Sequence, residues 1–202
     1  MKPISEAAER NKLPILKVLQ TVFADRTAVL EIGSGTGQHA VFFASALHHL
    51  TWQPTELSVN FPSLHAGCRD SLAPNLFKPV PLDVDDESWL VPPVDAVFTA
   101  NTLHIVSWLR VCCLFVKAGA LLPDGGTFCS YGPFNVDGRF TSPSNAHFDA
   151  YLRLQDPESG IRDIGDLAAQ AEIHHLLLEA DHILPANNRM LVWRKHVKVA
   201  SA

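Results

Sequence analysis

No apolar run in this sequence approaches the roughly 20 residues that a membrane-spanning helix requires, so a membrane partner is not expected. The stretch Met1–Gln20 is too polar to read as a signal peptide. Basic residues are also scarce: 16 Lys and Arg face 21 Asp and Glu, for a net charge of −5. With no basic stripe, a nucleic-acid groove is excluded. The four cysteines (Cys68, Cys112, Cys113 and Cys129) form no C-x-x-C pair, so they outline neither a zinc site nor a disulfide frame. Cys112 and Cys113 read as small apolar helix residues of a reducing, cytoplasmic compartment. The histidine pairs His48-His49 and His174-His175 lack the i, i+4 spacing of a helical ligand pair, and no metal is expected. Repeats and low-complexity tracts are missing too. Charged residues make up only 18% against 47% hydrophobic, which excludes disorder. A length of 202 residues fits one domain, 1–202, with an N-terminal helical cap (1–24) and a small lid (133–172).

What the sequence does have is a glycine loop in a telling place. Ala28-Val29-Leu30-Glu31-Ile32 reads as a short buried strand. Gly33-Ser34-Gly35-Thr36-Gly37 follows, and then an apolar helix from Ala40 to Leu47. Strand, glycine turn and helix together open a nucleotide-binding α/β unit. A dinucleotide fingerprint requires G-x-G-x-x-G, and its third glycine would fall at Gln38. The pattern present is E-x-G-x-G-x-G from Glu31 to Gly37, which resembles the first motif of S-adenosylmethionine (SAM)-dependent methyltransferases. SAM has no pyrophosphate, and an acidic residue such as Glu31 suits its cationic end. The alternatives are a dinucleotide site, or glycines that serve only a tight turn.

The other candidates fall after successive strands. Ser5–Phe23 has helical spacing, divided into two pieces by Pro14, with Asn11 able to cap the second. Arg10 and Asn11 either end a solvated helix or close over a cofactor carboxylate. A second strand from Leu50 ends at Thr55-Glu56, about 20 residues past the glycine loop, where a carboxylate takes the ribose hydroxyls of a nucleoside. An ordinary turn glutamate is the alternative. A helix from Asn60 to about Leu72 precedes a proline-marked strand ending at Asp83-Val84. Those two residues are either an adenine site or part of a solvated acidic loop. Val94–Ala100 is apolar throughout, as a central parallel strand is, and leads into Asn101-Thr102-Leu103-His104. Ser107 caps a helix through Leu121, Thr127–Tyr131 is the fifth strand, and helices follow at about Ala146–Gln155 and Asp163–Ala171. Two final strands, His175–Leu184 and Met190–Arg194, are joined by Pro185-Ala186-Asn187-Asn188. In an open parallel sheet, ligands bind outside the carboxyl ends of the strands, which is where every polar group named here falls.

Seven segments carry a more specific resemblance: Ala7–Asn11 (AAERN), Glu31–Ala40 (EIGSGTGQHA), Trp52-Gln53-Pro54, Tyr131–Phe134 (YGPF), Ser142–Phe148 (SPSNAHF), Gly160–Asp163 (GIRD) and Pro185–Asn188 (PANN). Together they resemble the small methyltransferase-like family catalogued as domain of unknown function 938, or methyltransferase-like 26. The resemblance implies a Rossmann-like class I methyltransferase fold, with a seven-stranded, mostly parallel sheet of order 3-2-1-4-5-7-6, helices on both faces and a lid after strand five. It implies SAM as cofactor, held by Arg10, Asn11, Glu31, Gly33, Ser34, Gly35, Gly37, Glu56, Asp83, Val84 and Asn101. It supplies no substrate. The chain departs from the family's pattern at Thr55-Glu56, where Ser-Asp is commoner, and at Ser159, where an aromatic often precedes GIRD. The first keeps ribose binding with a longer arm; the second is expected to loosen the lid or widen its pocket.

In-line methyl transfer asks the protein chiefly to position and desolvate a nucleophile. His104 is either a general base or a structural histidine beneath the lid, and Tyr131 either orients substrate or packs in the sheet. Phe134, Asn145, Asp149 and Asn187 are candidates to face the substrate, with helix capping the alternative for Asn145. No N-P-P-Y or D-P-P-Y follows strand four, which disfavours nucleobase and glutamine amines as acceptors. The expected acceptor is a small organic molecule that takes the methyl on O, N or S. The rivals are a non-catalytic SAM-binding scaffold or sensor and a nicotinamide-dependent oxidoreductase. Oligomeric state leaves no signature.

Overall fold

The structure, a computed structural model, describes residues 5–196. The chain gathers into two compact units, one up to Ala100 and one from Asn101 onward. Its strands form a seven-stranded sheet of order β3-β2-β1-β4-β5-β7-β6.

The first unit holds α1 (Glu6–Val22), β1 (Ala28–Ile32), α2 (Gln38–Ala46), β2 (Thr51–Glu56), α3 (Phe61–Cys68), β3 (Val80–Pro81) and β4 (Ala96–Ala100). β1 pairs in parallel with β2 on one side and β4 on the other, and β2 pairs in parallel with β3. A strand flanked on both sides needs apolar residues on both faces, and Val29 and Leu30 are accordingly fully buried. Phe43 of α2, Trp52 of β2 and Phe98 of β4 meet edge-on or tilted, with ring centroids 5.5–5.9 Å apart. This aromatic knot fixes α2, and with it the glycine loop, over the carboxyl end of β1.

Two local expectations need correcting. Pro14 does not divide the first helix; α1 is continuous, capped by Ser5, whose hydroxyl accepts from the Ala8 amide. Proline removes one backbone donor, but Ala8, Asn11, Ile15, Val18 and Leu19 bury one face across the gap and hold the turns in line. Asn11 is therefore an interior residue of that face and no cap. Likewise α3 stops at Cys68 short of Leu72, because Ser71 turns the chain there, its hydroxyl accepting from the Ala73 amide.

The second unit holds α4 (Trp108–Leu121), β5 (Thr127–Gly132), α5 (Pro143–Gln155), α6 (Ile164–Ile173), β6 (Leu176–Leu184) and β7 (Asn188–Lys195). β7 runs antiparallel to both β5 and β6. Phe115 of α4, Phe128 of β5 and Trp193 of β7 form its aromatic centre, all fully buried. The three-residue β6–β7 turn, Pro185–Asn187, places Ala186 and Asn187 at φ +59° and +57°, in the left-handed region. Among the described residues, no helix is long and apolar enough to cross a membrane.

Candidate functional site

In the first unit the chemistry gathers on the loop after β1. Gly33, Gly35 and Gly37 all have positive φ, which other residues adopt only at a cost. Two of them differ in what surrounds them. A Cβ on Gly37 would meet Cys68 Sγ at 2.8 Å and Leu64 Cδ1 at 3.1 Å, so this glycine lets α3 pack against the loop. A Cβ on Gly35 would meet nothing within 4 Å; its α-carbon borders open space where a ligand can approach the backbone. Ser34 ties the loop to the neighbouring strand, its amide donating to the Thr55 carbonyl at 2.8 Å and its hydroxyl accepting from the Thr55 amide at 3.2 Å.

Two buried carboxyl groups stand beside this loop. Glu56, at the end of β2, accepts from the Gly35 amide through Oε2 (2.7 Å) and from the Leu57 amide through Oε1 (2.9 Å). Each oxygen keeps acceptor capacity, which a ribose diol can use. Glu31 accepts from the Trp52 indole N–H at 2.7 Å. Burial pushes its pKa up to about 7, against the donors Trp52 and Ser34, and the charge of Glu56 adds to the rise. A cationic group arriving beside Glu31 would restore its charged form.

The remaining candidates of this unit divide. Asn11 is buried, and its Oδ1 lies 2.7 Å from His39 Nε2 in the first turn of α2. Arg10 is exposed and pairs with Glu6 one turn back. Asp83 sits in an acidic turn, where its Oδ1 accepts from the Asp85 amide and its own amide donates to Asp86; Val84 beside it is buried.

Sequence reasoning missed three residues here. His39 stacks on Phe43 at 5.2 Å, and burial pulls its pKa down to about 4. Gln38 donates to Glu9 at 3.0 Å and accepts from the Ser5 amide and the Thr36 hydroxyl, which joins the start of α1 to the loop. Gly67 of α3 has no room for a side chain, since a Cβ would lie 1.8 Å from the Thr36 carbonyl oxygen. A glycine inside an apolar helical pattern was the available signal.

In the second unit the candidates surround the loop from Asn101 to Ser107. Asn101 has φ +58°, a conformation asparagine tolerates, and its amide donates to the Tyr131 carbonyl. His104 is 4% exposed, and among the described residues its ring nitrogens make no hydrogen bond. Phe148 of α5 meets the imidazole edge-on at 5.4 Å. Burial, helped by the Arg162 cation, lowers the His104 pKa to about 4, so the ring is a neutral acceptor at physiological pH. Gly132 lies beside it: a Cβ there would sit in ordinary contact with His104 Nδ1 at 3.4 Å and Asn101 Oδ1 at 4.0 Å. Tyr131 and Phe134 are buried just before and after this glycine.

The structure gives the polar lid candidates a fastening job. Asn145 donates from Nδ2 to the Thr141 hydroxyl at 3.0 Å and to the Asn187 carbonyl at 3.1 Å. Asn187 in turn donates to the Ser144 hydroxyl. SPSN and PANN, far apart in sequence, are thus one clasp. Asp149 accepts from the Ile161 amide at 2.7 Å and from Arg153 at 2.8 Å, so both its oxygens are engaged. Ser159 is buried, and its hydroxyl donates to the Ile105 carbonyl.

This geometry has relatives. An O-methyltransferase family protein from Burkholderia thailandensis superposes with a TM-score of 0.80 at 16% identity, covering 95% of this chain and 58% of its own. The SAM-dependent methyltransferase SibL, in its apo form, gives 0.79 at 19% identity, covering 95% and 56%. Human N-acetylserotonin methyltransferase in complex with SAM gives 0.76 at 13%, covering 95% and 53%. The chain spans little more than half the length of these structures, and at such identities the likeness is one of fold. It is the Rossmann-like methyltransferase fold, with the strand order found here. Residues 2–195 match the family described as "Protein of unknown function (DUF938)", and the chain belongs to that family.

Proposed function

We infer that the protein binds S-adenosylmethionine and transfers its methyl group to a small organic acceptor. The observation that carries this reading is the glycine loop: an open α-carbon at Gly35 beside a carboxylate, Glu56, already held by the loop's own amide. These residues fit a nucleoside with a cationic tail. The backbone at Gly35 admits close approach, Glu56 takes the ribose hydroxyls, and Glu31 faces the amino-acid end. Asn11 assists through the first turn of α2, and Asp83 with Val84 receives the adenine.

Bound SAM supplies an electrophilic methyl group on its sulfonium, so the chain has no need to activate the donor. Its own task is on the acceptor side. His104, neutral and without a hydrogen-bond partner on its ring among the described residues, accepts a hydrogen bond at a ring nitrogen from the acceptor's O–H, N–H or S–H and takes the proton as the nucleophile is alkylated. Asn101 and Tyr131 orient the acceptor, and Phe134 and Phe148 keep water from it. The solved relatives named as O-methyltransferases make oxygen a sensible first acceptor to test.

Calorimetry with SAM and NAD side by side tests the cofactor. Micromolar binding of SAM and none of NAD is expected, and the reverse overturns the reading. Labelled SAM offered with a metabolite library then tests turnover. Tight binding without label transfer to any acceptor would favour a scaffold or sensor.

A further inference from the structure

We propose that the segment Ser159–Arg162 is a latch that positions the His104 imidazole by holding, one after another, the backbone carbonyls of the loop that carries it, with Arg162 as the chief positioning residue. The proposal rests on the reading of His104 as the acceptor-side group.

Four consecutive carbonyls of that loop are taken by three residues of the latch, Arg162 taking two of them. Arg162 Nε donates to Leu103 O at 3.1 Å, the Gly160 amide to His104 O at 2.9 Å, the Ser159 hydroxyl to Ile105 O, and Arg162 Nη2 to Val106 O. Arg162 Nη2 also donates to the Glu158 carbonyl at 2.8 Å. A half-buried guanidinium thus spends its donors on main-chain oxygens, although carboxylates are nearby to pair with it. Its planar fork reaches two carbonyls that bracket His104, which an ammonium on a flexible stem cannot do with the same geometry.

The latch is itself fixed from behind. The Ile161 amide donates to Asp149 Oδ1, which Arg153 braces from one turn along α5. The Asn135 amide donates to the Arg162 carbonyl at 2.9 Å. Gly160 has φ +150°, and a Cβ there would run into the Arg153 guanidinium and Asp149 Oδ1. These ties explain why GIRD and Asp149 stand together.

Such a latch matters because, among the described residues, none makes a hydrogen bond to the His104 ring that would orient it. Its direction is set by its backbone and by the edge of Phe148. Arg162 is the charged group acting on it.

The test uses the full chain with isotope-labelled imidazoles, the His104 signal being assigned from its absence in His104→Gln. In the natural protein that signal should stay flat between pH 8 and 5.5, as a buried neutral ring does. Arg162→Lys keeps the charge and loses the fork. If the latch positions the ring, the signal in this variant titrates inside that window, its midpoint raised from about 4 by at least 1.5 pH units, roughly a thirtyfold change in proton affinity. A flat signal in folded Arg162→Lys overturns the proposal. So does a shift seen only in Arg162→Met, since that would be an effect of charge alone. Ser159→Ala, which removes one donor and no charge, gives the same reading should Arg162→Lys not fold. Calorimetry of the same samples separates the two inferences. Failure of the natural protein to bind SAM removes methyl transfer and leaves the titration result standing, whereas a flat titration with SAM binding intact removes the latch alone.

Discussion

Glu56 accepts a hydrogen bond from the Gly35 amide at 2.7 Å, tying the end of one strand to the loop that follows its neighbour. The carboxylate is therefore preorganised before any ligand arrives, and removing its charge should act on binding more than on folding. Glu56→Gln keeps an oxygen that can accept from Gly35 but loses the charge that a diol would engage. Hydrogen bonds to charged groups contribute about 1.5–3 kcal/mol, so SAM affinity should fall by roughly tenfold or more, while the Gln nitrogen set against the Leu57 amide lowers the thermal midpoint modestly. Calorimetry beside a melting curve checks this, and an unchanged affinity would contradict the role given to Glu56.

Glu31 should make the protein's stability depend on pH in an unusual direction. Its folded pKa is raised to about 7 from a model-peptide value of 4.5. The fold therefore holds a proton that the unfolded chain has released, and this group's contribution is lost as pH rises from about 4.5 through 7. Glu31→Gln should be more stable than the natural protein at pH 8, by about 3 kcal/mol at most. SAM binding should weaken in the same variant. Denaturant unfolding at pH 8 and pH 5 reads the effect, and a variant less stable at pH 8 would refute it.

His39 and His104 pull the other way. Both are depressed to about 4 from 6.5, chiefly by burial. As pH falls below about 6.5, the unfolded chain takes up protons that the fold refuses, and stability is lost down to about pH 4. With two histidines opposing one carboxyl, the maximum should lie near neutrality. His39→Gln should flatten the acid limb, which a series of unfolding curves from pH 7 to 5 would reveal.

Gly35 and Gly67 should separate binding from folding. Gly35→Ala meets open space but forces alanine to φ +57°, costing about 1–2 kcal/mol, and its methyl enters the ligand's space. The variant should fold and fail to bind SAM. Gly67→Ala drives a methyl into the Thr36 carbonyl oxygen, which is backbone and has no rotamer to yield. It should lose several kcal/mol of stability, at the upper end of what single substitutions do. Equal behaviour of the two in melting and calorimetry would refute the distinction.

The clasp between α5 and the last hairpin should be felt at one end more than the other. Asn145 is buried and donates twice from its amide, so Asn145→Ala should cost about 1–3 kcal/mol by leaving polar groups unmet. Asn187 is exposed in a left-handed turn position that glycine also suits, and Asn187→Gly should be nearly neutral. Limited proteolysis in the 141–155 segment should rise in the first variant and not in the second.

The glycine loop was legible because each of its requirements is local. β-branched residues make a strand of Ala28–Ile32, alternate glycines take positive φ, and Ser107 caps a helix whose apolar spacing is plain. The lid helix was placed less well: it starts at Pro143 with Ser142 as its cap, and Asn145, the expected cap of a helix from Ala146, lies inside its first turn. Pro14 misled because a local rule about one missing donor was outweighed by burial of the face around it. Asp149 and Asn145 show another limit of local reading: their bonds to the Ile161 amide and the Asn187 carbonyl join segments remote in sequence, which no local spacing announces.

The sequence by itself determined the order of strands and helices, the loop that a nucleoside can approach and the identity of the family, since these rest on residue type and short-range spacing. Tertiary structure alone decided which groups meet across long separations: Asn11 with His39, Gly67 with Thr36, Arg162 with the carbonyls around His104. It also decided which ionisable groups lie buried and hence how they titrate. The physical reason is that hydrogen bonds and desolvation depend on distance in space, and distance between remote segments is set by packing, which no local pattern encodes.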